Sequence, residues 1–332
     1  MFRCGDVGVS AMKGSLLSAA IGAVMVSGLL AVPAGPVRLS PEAARQAIAE
    51  LEKDRAETRQ WLQRDPTSYL ATISRRDFEQ RKTLTVGRAS DNDLRIDDGA
   101  ITAHHLRVTV QGERFQVDSV DPSARFLVRK DERRTANVEP SNITIGRFLL
   151  RLSHQGFPGL IVFDPQSPRF ASYKGLDYFP PDLSYRYELP LTRNPAPDIV
   201  IIMSTRGNQR RAQRVGWFEF LVGKTAVRLE AMRLLEPGVG ENDLGIFFRD
   251  LTTGKETYEL GRYVDVKKLE SGAFLLDFNA AYNPACAFSD HYNCPIPSRG
   301  NTLPVAIRAG EMDSHYHEVA APGTPPKTPS PR

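Results

Sequence analysis

Two stretches in the last third of the 332-residue chain gather most of the groups that could do chemistry. The first holds Arg249, Asp250, Glu256, Tyr258, Arg262 and Tyr263 on either side of the turn signal Thr252-Thr253-Gly254-Lys255. Read as a hairpin with a side-chain period of two, it puts Arg249 on one face with Phe247. Glu256, Tyr258 and Leu260 then share a face of the returning strand, followed by Arg262. A face carrying Glu, Tyr and Arg together is foreign to a plain core: it either lines a polar pocket or forms a buried ion-pair network that fixes the register of the sheet. The second stretch, DFNAAYNPACAFSDHYNCPIP (Asp277–Pro297), adds Asp277, Asn279, Tyr282, Asn283, Cys286, His291 and Cys294. Asp277 and Asn279 can bond nearby backbone and organise an irregular return loop, and Asn283-Pro284 forces an extended turn.

Several chemistries compete for these residues. Asp250, Glu256 and Asp277 could flank a cleft as acid and base. Cys286, His291 and Cys294 have the identity of soft metal ligands, but a fourth ligand is missing and the spacing is not a finger pattern, so no metal site is assigned. The chain has no Gly-x-Ser-x-Gly elbow, and no cofactor is assigned. The remaining reading is recognition: Arg249, Asp250, Glu256, Tyr258, Arg262, Tyr263, Asp277, Asn279, Tyr282 and Asn283 as the lining of a ligand pocket.

The elements that must position these groups are mostly strands. A hydrophobic content of 41% with 25% charged residues is ordinary globular composition, while 24 prolines and 25 glycines favour turns over long helices. One helix is expected in a leader at 40–72, where Ser40 stands as N-cap of PEAARQAIAELEKDRAETRQWLQ. Ala44, Ile48, Leu51, Arg55, Thr58 and Leu62 form its mixed stripe. From about Thr83 the period shortens to alternation, giving a β domain at 75–165. Asp164–Leu189, rich in Pro and rings, reads as an extended strap pinned by Phe170, Tyr173, Tyr178 and Phe179. A meander then runs through DIVIIMST, RRAQRVGWFEFLV, TAVRLEAMRLL, LGIFFRDL, ETYELGRYVDVKKL and GAFLLDFN, so 166–313 should form a small antiparallel barrel or sandwich. The segment 314–332 reads as a disordered Pro-rich tail.

Two resemblances attach to these segments. VGRASDNDLRIDDGAITAHHLRV (Val86–Val108) resembles the opening of a forkhead-associated domain, which implies a β-sandwich. The resemblance would make Arg88 and Thr102 phosphate contacts and His105 a brace for the loop. Ala103 stands where that family has Arg, and SVDPSARF does not supply its Asn-Gly-Thr turn, so phosphopeptide binding is not expected and the sandwich is read as scaffold. The run FFRDLTTGKETYELGRYVDV, followed by LLDFNAAYNPACAFSDHYNCPIPSRGNTLPVAIRAGE, resembles the prokaryotic family called domain of unknown function 1684. With the leader helix and RFASYKGLDYFPPD, that likeness spans about 46–311. It implies a fold and no activity.

The N-terminus sets the compartment. Arg3 and Lys13 precede the uncharged run Gly14–Val32 and a small-residue exit at Val32-Pro33-Ala34, so 1–34 reads as an export signal, or as a single anchor able to hold the chain to a membrane through 14–32. Either way the body is expected outside the cytoplasm, secreted, periplasmic or anchored facing outward. Removing 1–34 takes away Arg3, Lys13 and Asp6 and changes the net charge from +4 to +3, which is no footprint for nucleic acid. Cys4 leaves with the signal, or is never translated if Met12 is the start. Cys286 and Cys294, with seven residues between them, are then expected to form a local disulfide worth about 2–3 kcal/mol, with two free, buried thiols as the alternative. The resulting expectation is an exported, two-module β protein that binds a small or extended ligand in a polar pocket of its C-terminal domain. Its alternatives are a hydrolase using Asp250, Glu256 or Asp277 and a structural envelope protein with no ligand. Mass spectrometry of envelope fractions should find a mature N-terminus near Gly35; an intact chain in the membrane would mark an anchor instead.

Overall fold

The computed structural model describes residues 34–316. The predicted export segment, except Ala34, and the tail from His317 onward lie outside the described residues. Ala34 makes a parallel bridge to Phe220. The chain is also placed through Ser314, His315 and Tyr316, with the Tyr316 ring stacked on Tyr173 at 5.9 Å.

Pro41–Arg64 forms α1, the one α-helix among the described residues. The Ser40 side chain accepts the Ala43 N–H at 3.2 Å, and Pro41, which has no N–H to leave unpaired, opens the first turn. Of the predicted stripe, Arg55, Thr58 and Leu62 are buried, while Ala44, Ile48 and Leu51 are half-buried. The seam is narrow, as its composition requires.

Eleven strands follow: β1 (Thr72–Asp77), β2 (Thr83–Gly87), β3 (Leu94–Arg95), β4 (Leu106–Gln111), β5 (Arg114–Ser119), β6 (Phe126–Val128), β7 (Asp131–Arg133), β8 (Thr135–Val138), β9 (Ser141–Ile145), β10 (Phe148–Ser153) and β11 (Gly159–Phe163). They make two sheets, β1-β11-β10-β9-β6-β7 and β3-β2-β4-β5-β8, facing one another across a core of Phe78, Leu84, Val86, Leu106, Phe115, Ile143, Leu150 and Val162. This is the expected sandwich. In β11 every residue is buried, because Leu160 and Val162 enter that core while Ile161 and Phe163 pack outward with Ala71, Leu149 and Phe170. An unbroken apolar run is what a strand covered on both faces needs.

The forkhead-associated-like loop closes against Gly87, where a Cβ would lie 2.3 Å from the Ala103 carbonyl oxygen. Asn92 Nδ2 spans the loop to the carbonyls of Ala89 (2.9 Å) and Ala103 (2.8 Å). Arg88 is exposed, Thr102 is half-buried, and the Thr102 hydroxyl lies 3.1 Å from Nδ1 of the buried His105. His105 Nε2 lies 3.0 Å from the Arg125 carbonyl, to which it donates, so the ring braces the loop as expected.

The C-terminal strands are β12 (Arg186–Leu189), β13 (Thr192–Arg193), β14 (Ile199–Met203), β15 (Gln209–Val222), β16 (Thr225–Leu234), β17 (Gly245–Phe248), β18 (Arg262–Lys268) and β19 (Phe274–Asp277). They form one sheet in the order β12-β19-β18-β17-β16-β15-β13, with β14 added on β15, and the sheet curls into a half-barrel. Its concave core holds Tyr187, Phe218, Phe220, Leu229, Ile246, Phe248, Val264, Leu276 and Phe278. The chain is therefore mainly β, one helix followed by a sandwich and a curled antiparallel sheet.

The strap between them is fixed as its rings suggest. Ser167 Oγ donates to the Leu70 carbonyl at 2.7 Å, Phe179 N–H to the Gly310 carbonyl at 3.0 Å, and Tyr178 bridges Glu311. Sandwich and half-barrel also meet directly: Thr72 Oγ1 and the Tyr292 hydroxyl lie 2.8 Å apart, and Arg75 Nη1 donates to the His291 carbonyl at 3.1 Å.

Burial holds His105 and His291 below the ordinary histidine value of 6.5. The folded chain keeps both rings neutral where the unfolded chain takes up protons, so their contribution is complete above pH 6.5 and is lost as the pH falls below it. The urea midpoint should fall between pH 7.5 and about 5. A His105→Asn variant, less stable throughout, should lose less over the same interval.

Candidate functional site

The first predicted cluster does not form the hairpin its turn signals suggested. Strand pairing runs between β17 and β18, and 249–261 between them is a closed loop. The Asp250 carboxylate accepts the Thr252 N–H at 2.8 Å, and the Thr252 carbonyl collects the N–H groups of Lys255, Glu256 and Thr257. Those bonds wind the segment up before it can pair as a strand, so Glu256 and Tyr258 share no face with Arg262.

At the centre of the cluster lies a sealed ion pair. Arg262 Nη2 donates to Asp250 Oδ2 at 3.0 Å, with side chains 1% and 0% exposed. The rest of the guanidinium is spent on the carbonyls of Ile307 (2.8 Å), Ala309 and Glu311 (3.1 Å), and its face lies over the Phe248 ring. Asp250 Oδ2 accepts in addition the Ile307 N–H at 3.0 Å. Of the two readings open for these groups, the pair is the buried network. Arg249 reaches outward to the Leu260 carbonyl, and Glu256 sits near the surface in a bidentate pair with Arg308, which holds its carboxyl below the usual range. Asp277 caps the turn 278–280 and binds Arg186. The three carboxylates thus serve three different arginines and share no cleft.

The second cluster does assemble, around a residue that sequence reasoning missed. Gly310, at φ +81°, passes so close to the chain that a Cβ would lie 2.5 Å from the Ala281 carbonyl. This approach brings Glu311, 3% exposed, into the interior. Its carboxylate accepts the Asn283 N–H at 2.7 Å and the Tyr178 hydroxyl at 3.4 Å. Asn279 is clamped to the backbone of Asp182 through both side-chain ends at 2.8 Å, and its carbonyl accepts from Arg55 Nη2 at 3.4 Å. Tyr282 donates to Asp265 at 3.2 Å, and Tyr263, edge-on to the Tyr282 ring, donates to the Pro295 carbonyl.

Two cavities of about 10 Å³ each flank Glu311, beneath α1. Thr58, Trp61, Tyr69, Asn283 and Phe288 line one; Arg55, Tyr178 and Asn279 line the other; Tyr282 and Glu311 border both. Asn283, which borders the first, and Arg55, which borders the second, each have one buried atom, Oδ1 and Nε, without a hydrogen-bond partner among the described residues. Burial lowers the Arg55 pKa, with the Glu52 carboxylate opposing. The only advance sign of this half of the site was an arginine and a threonine in the buried stripe of a helix.

The family described as "Protein of unknown function (DUF1684)" matches residues 171–312, the segment that holds both clusters. Residues 171–312 belong to this family. The solution structure of the uncharacterized protein from gene locus rrnAC0354 of Haloarcula marismortui is 34% identical, over 46% of this chain and 85% of that one, with a TM-score of 0.37. Mycobacterium tuberculosis EmbR in complex with a low affinity phosphopeptide is 14% identical, over 37% of this chain and 31% of that one, with a TM-score of 0.20. No curated protein matches the chain.

In the DUF1684 segment the bridge expected between Cys286 and Cys294 is not made in this structure. Both side chains are buried and no disulfide joins them. The Cys294 sulfur accepts the Cys286 N–H at 3.3 Å, and Tyr258 donates to the Cys286 sulfur at 3.7 Å. The neighbouring Cys294 thiol, and after it the Tyr258 hydroxyl, hold the Cys286 pKa down against the effect of burial. The His291 backbone carbonyl accepts from Arg75 Nη1, and no group of three or more metal-ligating side chains forms among the described residues.

Leaving one charge of the Arg262–Asp250 pair unpaired in the interior of this segment should cost about 3–5 kcal/mol. An Asp250→Ala variant should show that loss in chemical denaturation, whereas Glu256→Ala, which breaks a surface pair, should cost less than about 1 kcal/mol.

Proposed function

We propose that the protein is an exported binding protein whose site is the pair of polar cavities beneath α1, around Glu311. The observation that carries this reading is that Arg55 Nε and Asn283 Oδ1, a buried donor and a buried acceptor, lack partners on either side of the buried Glu311 carboxylate. A buried polar group without a partner costs about 1–3 kcal/mol, so such atoms are retained where something else completes them. The ligand this chemistry fits is small and polar, with a donor toward Glu311 and Asn283 and an acceptor toward Arg55. Each cavity has room for about one water, so a larger ligand requires α1 to shift. Leu62 is the one fully buried apolar side chain of that helix, and exposing it costs about 1.5–3 kcal/mol, far less than opening the sandwich or the half-barrel.

Export accords with the two adjacent thiols. In an oxidising compartment Cys286 and Cys294 would pass two electrons and two protons to a partner disulfide and close the staple over Tyr282–Pro297. The hydrolase alternative has no comparable observation behind it, since Asp250, Glu256 and Asp277 are each engaged by a separate arginine. The structural alternative draws on the sealed Arg262–Asp250 pair and the small cavities.

Native mass spectrometry of protein recovered from the envelope should show mass in excess of the chain, and an isosteric Glu311→Gln variant that keeps its fold should lose it. Bare chain in both preparations would instead favour the structural reading.

A further inference from the structure

A cluster of large apolar side chains left in water marks a contact surface, and seven such side chains are exposed among the described residues. Four of the seven gather at one end of the C-terminal sheet. Ile199, Ile201 and Met203 alternate along β14 and are 53%, 55% and 45% exposed, and Leu235, just past β16, is 38% exposed. Strand register puts all four on a single face. Ile201 stands opposite Arg211 of β15, and Leu235 donates its N–H to the Arg211 carbonyl from the other side. The reverse face of the same strands is covered: Val200, Ile202, Ala212 and Leu234 pack into the apolar cluster that includes Met232 and Phe247.

The bare face is also basic. Arg211 and Arg233 share it with the four apolar side chains, and 199–203, 209–213 and 233–235 contain no carboxylate. Arg211 is exposed, and its guanidinium has no hydrogen-bond or ion-pair partner among the described residues. Arg233 donates to Gln213 Oε1 at 2.6 Å and keeps its Nε unpaired. Charged donors set among apolar side chains on one face call for a partner that presents anionic oxygens and hydrocarbon side by side. A second copy laid on this face would set arginine against arginine. A strand added beside β14 would have the apolar row between itself and Arg211, and could not cover the one while pairing with the other. A bilayer with anionic headgroups meets both demands, since its phosphates lie directly above its acyl chains.

We infer that this face of β14, β15 and the end of β16 rests on the surface of an anionic lipid bilayer. Ile199, Ile201, Met203 and Leu235 enter the boundary between headgroups and acyl chains. Arg211 and Arg233, one and two strands in from β14 and so about 5 and 10 Å from it, bend to the phosphates as long basic side chains do. The backbone stays in the hydrated headgroup layer, where the outer edge of β14 keeps water as its partner. The contact is separate from the cavities around Glu311 and from the apolar run 14–32.

The test uses the full chain with a reporter built into the face. Ile201→Trp keeps a large apolar side chain that suits a strand, and its emission is isolated by recording the parent chain, with Trp61 and Trp217, in parallel. If Ile201→Trp does not fold, Met203→Trp reports the same face. With phosphatidylglycerol vesicles the added emission should shift to the blue and be quenched by brominated acyl chains, and with phosphatidylcholine vesicles at the same salt it should do neither. Adding Arg211→Glu, which reverses an exposed charge, should raise the lipid concentration needed for half the response at least about tenfold. An anchor at 14–32 would carry the chain to both lipids alike, so a difference between them reports the face and not the anchor. No response to phosphatidylglycerol, an equal response to both lipids, or a response unchanged by Arg211→Glu overturns the proposal. So does a dimer of the wild-type chain that Ile201→Asp dissolves, in favour of a second copy.

Discussion

A guanidinium taken out of water must have its charge answered and its donors filled, and Arg262 meets both demands with groups drawn from distant parts of the chain. Asp250 supplies the charge, and the carbonyls of Ile307, Ala309 and Glu311 supply the acceptors. Satisfying Arg262 therefore lays the otherwise irregular 307–311 segment across the end of β18. Gly310 allows the close approach, and Glu311 follows into the interior. From Glu311 the order spreads to Asn283, to Tyr178 of the strap and to the floor beneath α1. A buried pair of this kind is weak evidence for stability, because well-packed apolar residues can do as well. It fixes where a segment with no secondary structure of its own must lie.

The helix, the strap and the sandwich are connected to that segment by polar contacts as well as by an apolar cluster that includes Leu62, Tyr69, Leu176 and Phe288. Arg55 and Arg59 lie over the Tyr178 ring at 4.7 and 4.8 Å, and Arg59 donates to the Leu176 carbonyl. Arg206 and Arg75 both reach Asp77 at the end of β1, and they hold the sandwich against the loop that carries the two cysteines. Directional contacts of this sort specify a unique arrangement at modest net energy. They also leave α1 held by a narrow seam, because only three of its 24 residues are buried.

Periodicity and turn chemistry are local, and what they encode was legible. Alternation marked the sandwich and meander strands, Ser40-Pro41 marked the start of α1, and the unbroken apolar run Gly159–Phe163 matched a strand covered on both faces. The stretch 249–261 shows where local reading fails. A hairpin and a closed loop carry the same Gly and Thr signals, and the choice fell to Asp250 and the Thr252 carbonyl, whose bonds to successive N–H groups exclude a returning strand.

By itself the sequence determined the mainly β fold, the single leader helix with its narrow seam, and the identity of the loop that holds Asn279, Tyr282 and Asn283. Only the tertiary structure decided that Arg262 and Asp250 face each other in a sealed interior, that Glu311 joins the loop, and that Arg55 and Thr58 cover it from α1. The reason is distance along the chain. Backbone propensity and side-chain period act over a few residues, whereas Arg55 meets the Asn279 carbonyl across 224 positions, a pairing set by desolvation and hydrogen-bond satisfaction after the strands have packed.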